Sequence, residues 1–452
     1  MNDSLYSYNP ATGKVVGEVR VTHVDEIGAI VTAAHEAGRY WRDQPLELRA
    51  RTLRRAGEQL SAHVDELGDL LSREMGKPLH RGKGEVKYCA GGIAARVDEM
   101  VAALRPEEIE DANTHSTLFY DPFGVCAVIS PWNYPMSMPQ SMILPALMAG
   151  NSVVLKPSEE TPLIAQRYVE ILNQFLPENV LQIIHGEDDQ GRALVNADVN
   201  LIAFTGSRAV GKNILGHAAD GLKRVVLELG GKDSLIVLND ADVEAAAQYA
   251  VANGFENAGQ MCVSTERVYA VGDVADAFEE RVTELVKQIK YGPWNEAGIR
   301  MGPMINGGQR DHVICQIDEA VSLGARVLTG GDNHPEHFVV PTVLTDCNHH
   351  MEIMQEETFG PVLCIQRVES SDEAIRLAND NPYGLGSAVY GSAEHAKEVA
   401  RQLDAGMIGI NKSCFGASST PWVGAKQSGY GYHGSAAGHR QFAQLRVVSY
   451  TM

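Results

Sequence analysis

The chain has 452 residues, 44% of them hydrophobic, which excludes disorder and leaves room for two or three domains at roughly 150 residues each. Its 38 basic and 58 acidic residues leave a net charge of −20, a field that repels nucleic acid and anionic membrane surfaces. Seven cysteines, at 89, 126, 262, 315, 347, 364 and 414, are odd in number and widely spaced, so neither a disulfide framework nor a metal site is expected, and a reducing, cytoplasmic compartment is.

The first ten residues, Met-Asn-Asp-Ser-Leu-Tyr-Ser-Tyr-Asn-Pro, lack a basic segment followed by an apolar one, so no secretory signal or organelle-targeting extension is expected. After a short extended start, Val24, Ile27, Ile30, Val31 and Ala34 fall on one helical face. Leu53, Leu60, Val64, Leu67 and Leu71 predict one longer helix, stopped at Met75-Gly76-Lys77-Pro78, and a third helix is expected over about 85–103. Thr117–Tyr120 and Val125–Ile129 read as two strands about an Asp-Pro-Phe-Gly turn. The longest uncharged run, Phe123–Leu155, is interrupted by Pro131, Pro135, Pro139 and Pro145 and does not read as a membrane span.

From there strands and helices alternate. Strands are expected at 152–155, 180–184, 201–204 and 225–229, with helices at 162–175 and 207–219. A second series follows Gly230-Gly231, with strands at 234–238, 267–271, 362–368, 387–390 and 407–410 and near Val327 and Val339. Its helices are expected at 243–256, 275–289, 310–323, 373–379 and 394–403. This βαβ alternation predicts an α/β protein with mostly parallel sheets covered by helices. The tail, Gln444–Tyr450, alternates like an edge strand with no partner nearby in sequence, and pairing across a subunit interface is the expectation.

Six segments carry polar or nucleophilic groups that packing alone does not obviously explain. Cys262 follows Gly259-Gln260-Met261 and reads either as a nucleophile or as a buried small hydrophobe. Asn133, in Ser-Pro-Trp-Asn-Tyr-Pro, is either a preorganised hydrogen-bond donor for an oxyanion or part of a turn. Lys156 and Glu159, in Leu-Lys-Pro-Ser-Glu at a strand's carboxyl end, are either ribose ligands or a solvated pair. Phe204-Thr-Gly-Ser-Arg-Ala-Val-Gly211 runs from strand into helix, where free amides suit a phosphate, although it departs from the G-x-G-x-x-G fingerprint. Glu228, before Leu229-Gly-Gly, is a general base if buried and an exposed strand end if not. Gln355-Glu-Glu-Thr-Phe-Gly-Pro361 offers a carboxylate and an aromatic plane, for a nucleotide or for packing.

Together these segments, with Asn381-Pro-Tyr-Gly-Leu, resemble the NAD(P)-dependent aldehyde dehydrogenase superfamily in order and spacing across nearly the whole chain. The resemblance implies an aldehyde dehydrogenase-like fold: a Rossmann-like cofactor domain (1–105 and 123–230), an α/β catalytic domain (231–428) and a small β oligomerisation flap (106–122 and 429–452). It implies a homodimer or homotetramer. It implies that Cys262 forms a thiohemiacetal and then a thioester, that Asn133 and the Cys262 amide hold the oxyanion, and that Glu228 is the base for hydrolysis. Lys156 and Glu159 would hold the adenine ribose, Gly206 and Ser207 would lie near the pyrophosphate, Glu357 and Phe359 would position the nicotinamide end, and Trp132 would line the cleft. A carboxylate at Glu159 would repel a 2′-phosphate, so NAD is favoured over NADP, with Lys156 offsetting part of the repulsion. Thr358 stands where the family often carries an aliphatic residue, with little consequence expected.

The loop from Asn411 to Trp422 would shape the aldehyde entrance, with Phe415 and Trp422 as walls and Cys414 as a small lining residue. A small semialdehyde is among the substrates such chains oxidise. The alternative readings are a CoA-acylating dehydrogenase, against which Glu228 speaks, a cysteine hydrolase, which would need a histidine partner for Cys262, and a binding protein without activity.

Overall fold

The structure, a computed structural model, describes residues 4–332 and 334–452; Met1–Asp3, within the opening segment read above for targeting signals, lie outside the described residues. Two α/β sheets dominate. The first has six strands in the order Gly429–Tyr430, Arg224–Leu229, Leu201–Gly206, Val125–Ile129, Ser152–Lys156 and Leu181–Ile183. All are parallel except Gly429–Tyr430, which returns from the far end of the chain and pairs antiparallel with the Glu228 strand. The second has seven strands, Arg326–Thr329, Thr342–Thr345, Val362–Val368, Thr265–Val271, Asp233–Val237, Gly386–Tyr390 and Met407–Ile410, parallel except at the Arg326–Thr329 edge. Strands buried on both faces read as continuous apolar runs, and Val125–Val128 and Leu235–Val237 do so.

The α/β class and most elements match the sequence-based expectations; the differences have local causes. The long second helix is two, Leu46–Ala62 and Val64–Met75, broken at His63 (φ −107°, ψ 15°), whose ring engages the Gln59 carbonyl at 2.9 Å. The third begins directly after Pro78, at Leu79, and runs to Leu104. Val339 lies outside any strand; the strand begins at Thr342, after Pro341. The helix expected to Glu256 stops at Gly254.

The expected hairpin at 117–129 is instead a junction between sheets. Thr114–Pro122 lies in a three-stranded antiparallel sheet between Glu107–Glu110 and the tail, while Val125–Ile129 enters the six-stranded sheet. Gly124, at φ +136°, makes the change of direction. The tail strand, Ala443–Thr451, pairs with Thr114–Pro122 of its own chain over nine residues, from Ala443 with Pro122 to Thr451 with Thr114, and Arg446 pairs with Asp121. Its partner is thus far in sequence but within the chain, and among the described residues its other edge is unpaired. Leu445, Val447, Val448 and Tyr450 are exposed along it. Among the described residues no helix is long and apolar enough to cross a membrane.

Asn151 ties this junction together. Its buried side chain accepts from the Gly124 amide (3.0 Å) and donates to the carbonyls of Ala146 (3.0 Å) and Phe442 (2.8 Å), joining the sheet junction to the start of the tail. Asn151→Ala leaves these backbone groups unsatisfied and is expected to destabilise the fold by about 2–3 kcal/mol. Equal thermal and denaturant midpoints for wild type and variant would contradict this.

Candidate active site

Cys262 sits beyond an unusual turn. After the helix Val243–Gly254, Asn257 (φ 51°), Ala258 (φ 58°) and Gly259 (φ 71°) are all left-handed. Such a conformation costs about 1–2 kcal/mol at a residue other than glycine and persists only where the surroundings enforce it. The enforcement is a buried amide network. Asn257 Nδ2 donates to the carbonyls of Asn133 (3.2 Å) and Gln260 (3.1 Å). Gln260, fully buried, donates to the carbonyls of Asn257 (3.0 Å) and Pro303 (3.3 Å) and accepts from the Ile305 amide (2.9 Å). A side chain at Gly259 would put Cβ 1.9 Å from the Gly360 carbonyl oxygen. The Gly-Gln pair before the cysteine therefore has a structural reason: one cannot carry a side chain and the other pins the turn.

Asn133 belongs to the same network. It follows the central strand Val125–Ile129, and its Nδ2 donates to the Gln260 carbonyl at 3.1 Å, leaving one amide hydrogen for another acceptor. The buried Glu228 lies near the end of its strand, and His433 Nε2 approaches Oε1 to 3.1 Å. Burial pushes the Cys262 thiol well above its ordinary range, and the charges of Glu228, Glu357 and Asp233 add to this. The thiol and these three carboxylates therefore share one site.

Glu357 accepts from the Gly231 amide at 2.9 Å, and burial, reinforced by Glu266, pushes its carboxyl up to about 8. The next residues are held by a buried ion pair. Lys232 pairs with Glu266, which accepts the amides of Thr358 (2.9 Å) and Phe359 (2.8 Å), while Lys232 also donates to Thr358 Oγ1 at 2.9 Å. The hydroxyl of Thr358 is therefore a ligand of a buried lysine, a role that an aliphatic side chain cannot fill. Phe359, itself at φ 51°, packs edge-on to Trp132, with ring centroids 5.4 Å apart.

The remaining sequence candidates line the carboxyl ends of adjacent strands. Lys156 ends Ser152–Lys156, is buried, and pairs with the half-exposed Glu159 at 3.2 Å. Gly206 ends Leu201–Gly206, and a Cβ there would lie 2.5 Å from the Phe204 ring. Ser207 caps the helix Arg208–Asp220 by accepting the Val210 amide at 3.4 Å. The strand that precedes Asn133 stands between these two, where connections leave in opposite directions, the usual crevice for ligands in open α/β sheets. Cys262 packs against an apolar cluster of Met261, Val263, Leu385, Met407 and Cys414, joined by Tyr134 and Trp422. Phe415 packs on Trp422 at 5.6 Å.

Three features of the site were not visible in the sequence. Asp233, in a run that reads as a buried strand, accepts the Gly386 amide (2.9 Å), and burial pushes it up to about 8. His433 sits in a Gly-Tyr-Gly-Tyr-His-Gly segment that reads as a loop. The Lys232–Glu266 pair joins residues 34 apart, with no motif spacing to reveal it.

The architecture, with a thiol, an amide and carboxylates gathered beside two parallel sheets, is that of an α/β enzyme. The chain belongs to the aldehyde dehydrogenase family, which it matches over residues 2–448. It is 35% identical to a mitochondrial succinate-semialdehyde dehydrogenase of Arabidopsis thaliana, covering 99% of this chain and 86% of that one. It is 36% identical to a peroxisomal aminoaldehyde dehydrogenase of Pisum sativum, over 95% and 89% of the two chains. The solved structure of an NADP-dependent enzyme of E. coli superposes with a TM-score of 0.96 at 32% identity, over 99% of this chain and 95% of that one. The protein is thus an oxidoreductase of the aldehyde dehydrogenase kind.

The raised carboxyls make stability depend on pH. Asp233 and Glu357 (about 8) and Glu74 (about 7) hold protons in the folded state that the unfolded chain releases above about pH 4. Their stabilisation is complete below that pH and drains as pH rises toward 8. The buried His185 and His439, pushed down to about 4 by burial, act in the opposite sense below pH 6.5, so the carboxyls are best isolated above it. The thermal midpoint is expected to fall by a few degrees between pH 6.5 and 8.5, and Asp233→Asn, which keeps the acceptor for Gly386, is expected to reduce that slope. Parallel profiles for the two proteins would refute the assignment to Asp233.

Proposed function

We propose that the protein oxidises an aldehyde to its carboxylate with NAD, through a covalent intermediate on Cys262. The reading rests above all on the strained turn that carries Cys262, pinned by the amide network that includes Asn133, with Glu228 close enough to perturb the thiol. The Cys262 sulfur, once deprotonated, bonds to the aldehyde carbon, and the electron pair of the carbonyl moves onto oxygen. The free amide hydrogen of Asn133 and the Cys262 backbone N–H meet that charge, each well-placed donor contributing about 3–4 kcal/mol in comparable acyl-transfer sites. A nicotinamide nucleotide, when bound, would supply the hydride acceptor. Collapse of the oxyanion breaks the carbon–hydrogen bond, whose hydrogen leaves as hydride, and a thioester remains on Cys262. Glu228 then takes a proton from water, whose oxygen bonds to the acyl carbon, and the carbon–sulfur bond breaks to release the carboxylate.

The residues present fit a dinucleotide. Gly206 leaves backbone bare before a 13-residue helix whose first amides and dipole favour the pyrophosphate, with Ser207 beside it. Lys156 and Glu159 would hold the adenine ribose, Glu357 and Phe359 the nicotinamide end, and Trp132 would line the cleft. The six-stranded sheet, with residues 1–105 and 123–230, would carry the nucleotide and residues 231–428 the catalytic body. The sheet of Glu107–Glu110, Thr114–Pro122 and Ala443–Thr451 would be the assembly surface of a homodimer or homotetramer, its exposed tail strand supplying apolar area. A small semialdehyde is the substrate favoured by the activity named for one relative, with the apolar cluster beside Cys262 as its wall.

On a panel of aldehydes with NAD, Cys262→Ala is expected to lose turnover by at least about a thousandfold, and undiminished turnover would remove Cys262 as nucleophile. Glu228→Gln is expected to give a stoichiometric burst of reduced cofactor followed by slow turnover; a normal steady state would remove Glu228 as the base. Product release that requires CoA would favour the acylating alternative. For the cofactor, kcat/KM with NAD is expected to exceed that with NADP by at least about tenfold, and Glu159→Ser is expected to narrow the ratio. Equal efficiencies in the wild type would refute the preference.

A further inference from the structure

Glu228 is buried, and a buried carboxylate needs a partner. Among the described residues no donor meets it in an aligned hydrogen bond; its partner is His433, whose Nε2 stands 3.1 Å from Oε1 but off the axis of such a bond. The imidazole is itself buried and fixed. His433 lies directly across from Trp422 in a two-stranded antiparallel ribbon, and the two rings stack at 6.3 Å with planes 13° apart. The same stretch of chain controls the backbone beneath the carboxylate. Ser428 Oγ donates to the Gly230 carbonyl (2.7 Å) and accepts the Gly384 amide (2.9 Å), and Gly429 pairs with Glu228 as the antiparallel neighbour. Residues 428–433 thus hold Glu228 twice, by its main chain and by its side chain.

We infer that His433 is a positioning residue for Glu228, orienting its carboxylate for the water that cleaves the thioester; this rests on the proposed role of Glu228. Facing a carboxylate, the imidazole carries its proton on Nε2 and attracts Oε1. Because the contact is off-axis, it restrains the carboxylate without locking it, and Oε2 is left to accept the proton of water. In that step the oxygen of water bonds to the acyl carbon, its proton passes to Glu228, and the pair of the breaking carbon–sulfur bond returns to sulfur. The bond-forming attack of Cys262 and the loss of hydride precede this step and make no use of His433.

The test is stopped-flow measurement of reduced cofactor on the full-length enzyme with an oxidised aldehyde of the panel, in wild type, Glu228→Gln, His433→Phe, His433→Asn and His433→Gln. Phe keeps a ring to stack on Trp422 but no donor, Asn is too short to reach, and Gln places an N–H near the position of Nε2. The burst rate is expected to stay within about twofold of wild type in all three His433 variants, while the steady-state rate falls about tenfold in Phe and Asn and recovers to within about threefold in Gln. A merely structural role would lower burst and steady state together and would not be rescued by Gln. Should Phe or Asn, folded by its thermal midpoint, hydrolyse thioester at the wild-type rate while Glu228→Gln stalls, the role of His433 is overturned and that of Glu228 stands. A Glu228→Gln enzyme that does not stall overturns both. His433→Asn and His433→Gln change little volume, so a Phe variant that fails to fold leaves the comparison intact.

Discussion

Three consecutive left-handed residues, two of them not glycine, are the constraint on which the site depends. Left alone, Asn257-Ala258-Gly259 would relax into an ordinary helix end, and the following residues would leave the crevice. They are kept in place because the carboxamides of Gln260 and Asn257 bond simultaneously to the turn, to the Asn133 loop and to the chain at Pro303–Ile305. Each bond alone is modest, but breaking any one strands a polar group in a dry interior, so the network acts as a unit. Its effect is to carry strain at one point and to place two chemically unlike groups, a thiol and a carboxamide from different sheets, in one frame.

Around that frame the charge balance is unfavourable to anions. Burial above all, and then the charge of Glu228, opposes ionisation of Cys262. The resting sulfur is therefore a thiol, and its nucleophilicity depends on what enters the crevice. A thiol in that state is slow to oxidise. The buried Lys232 is committed to Glu266 and Thr358 and so fixes the Glu357–Phe359 loop. Charge in this region is thus used to set backbone positions, and the reactive groups are left poised against one another.

Much of the architecture was legible in the sequence because it depends on local signals. Apolar runs of strand length bounded by glycine and proline marked both parallel sheets, and the polar residues that interrupt them at strand ends marked the crevice. What local signals missed was long-range. Nothing near His63 predicts that one periodic pattern is two helices. The Asp-Pro-Phe-Gly turn has the composition of a hairpin, yet Gly124 sends its strands to different sheets, since Asn151, Phe442 and the tail strand compete for the first of them. His433 lies in a glycine-rich segment whose spacing carries no information about Glu228, more than 200 residues away. Thr358 looked like a tolerated departure because its partner, Lys232, is equally remote. In each case the deciding neighbour is brought by the fold and not by adjacency.

The pairing of Gly429 with Glu228 and the bridging of Gly230 and Gly384 by Ser428 have a consequence for how the enzyme is made. Cys262 and Asn133 lie in the first two-thirds of the chain, and the turn between them is pinned once Pro303, Ile305 and Gly360 have been added. Glu228 cannot be held until residues near 430 have been added and have folded back across the sheet. During translation the turn that carries Cys262 is therefore complete before Glu228 gains its backbone partner Gly429 and its neighbour His433.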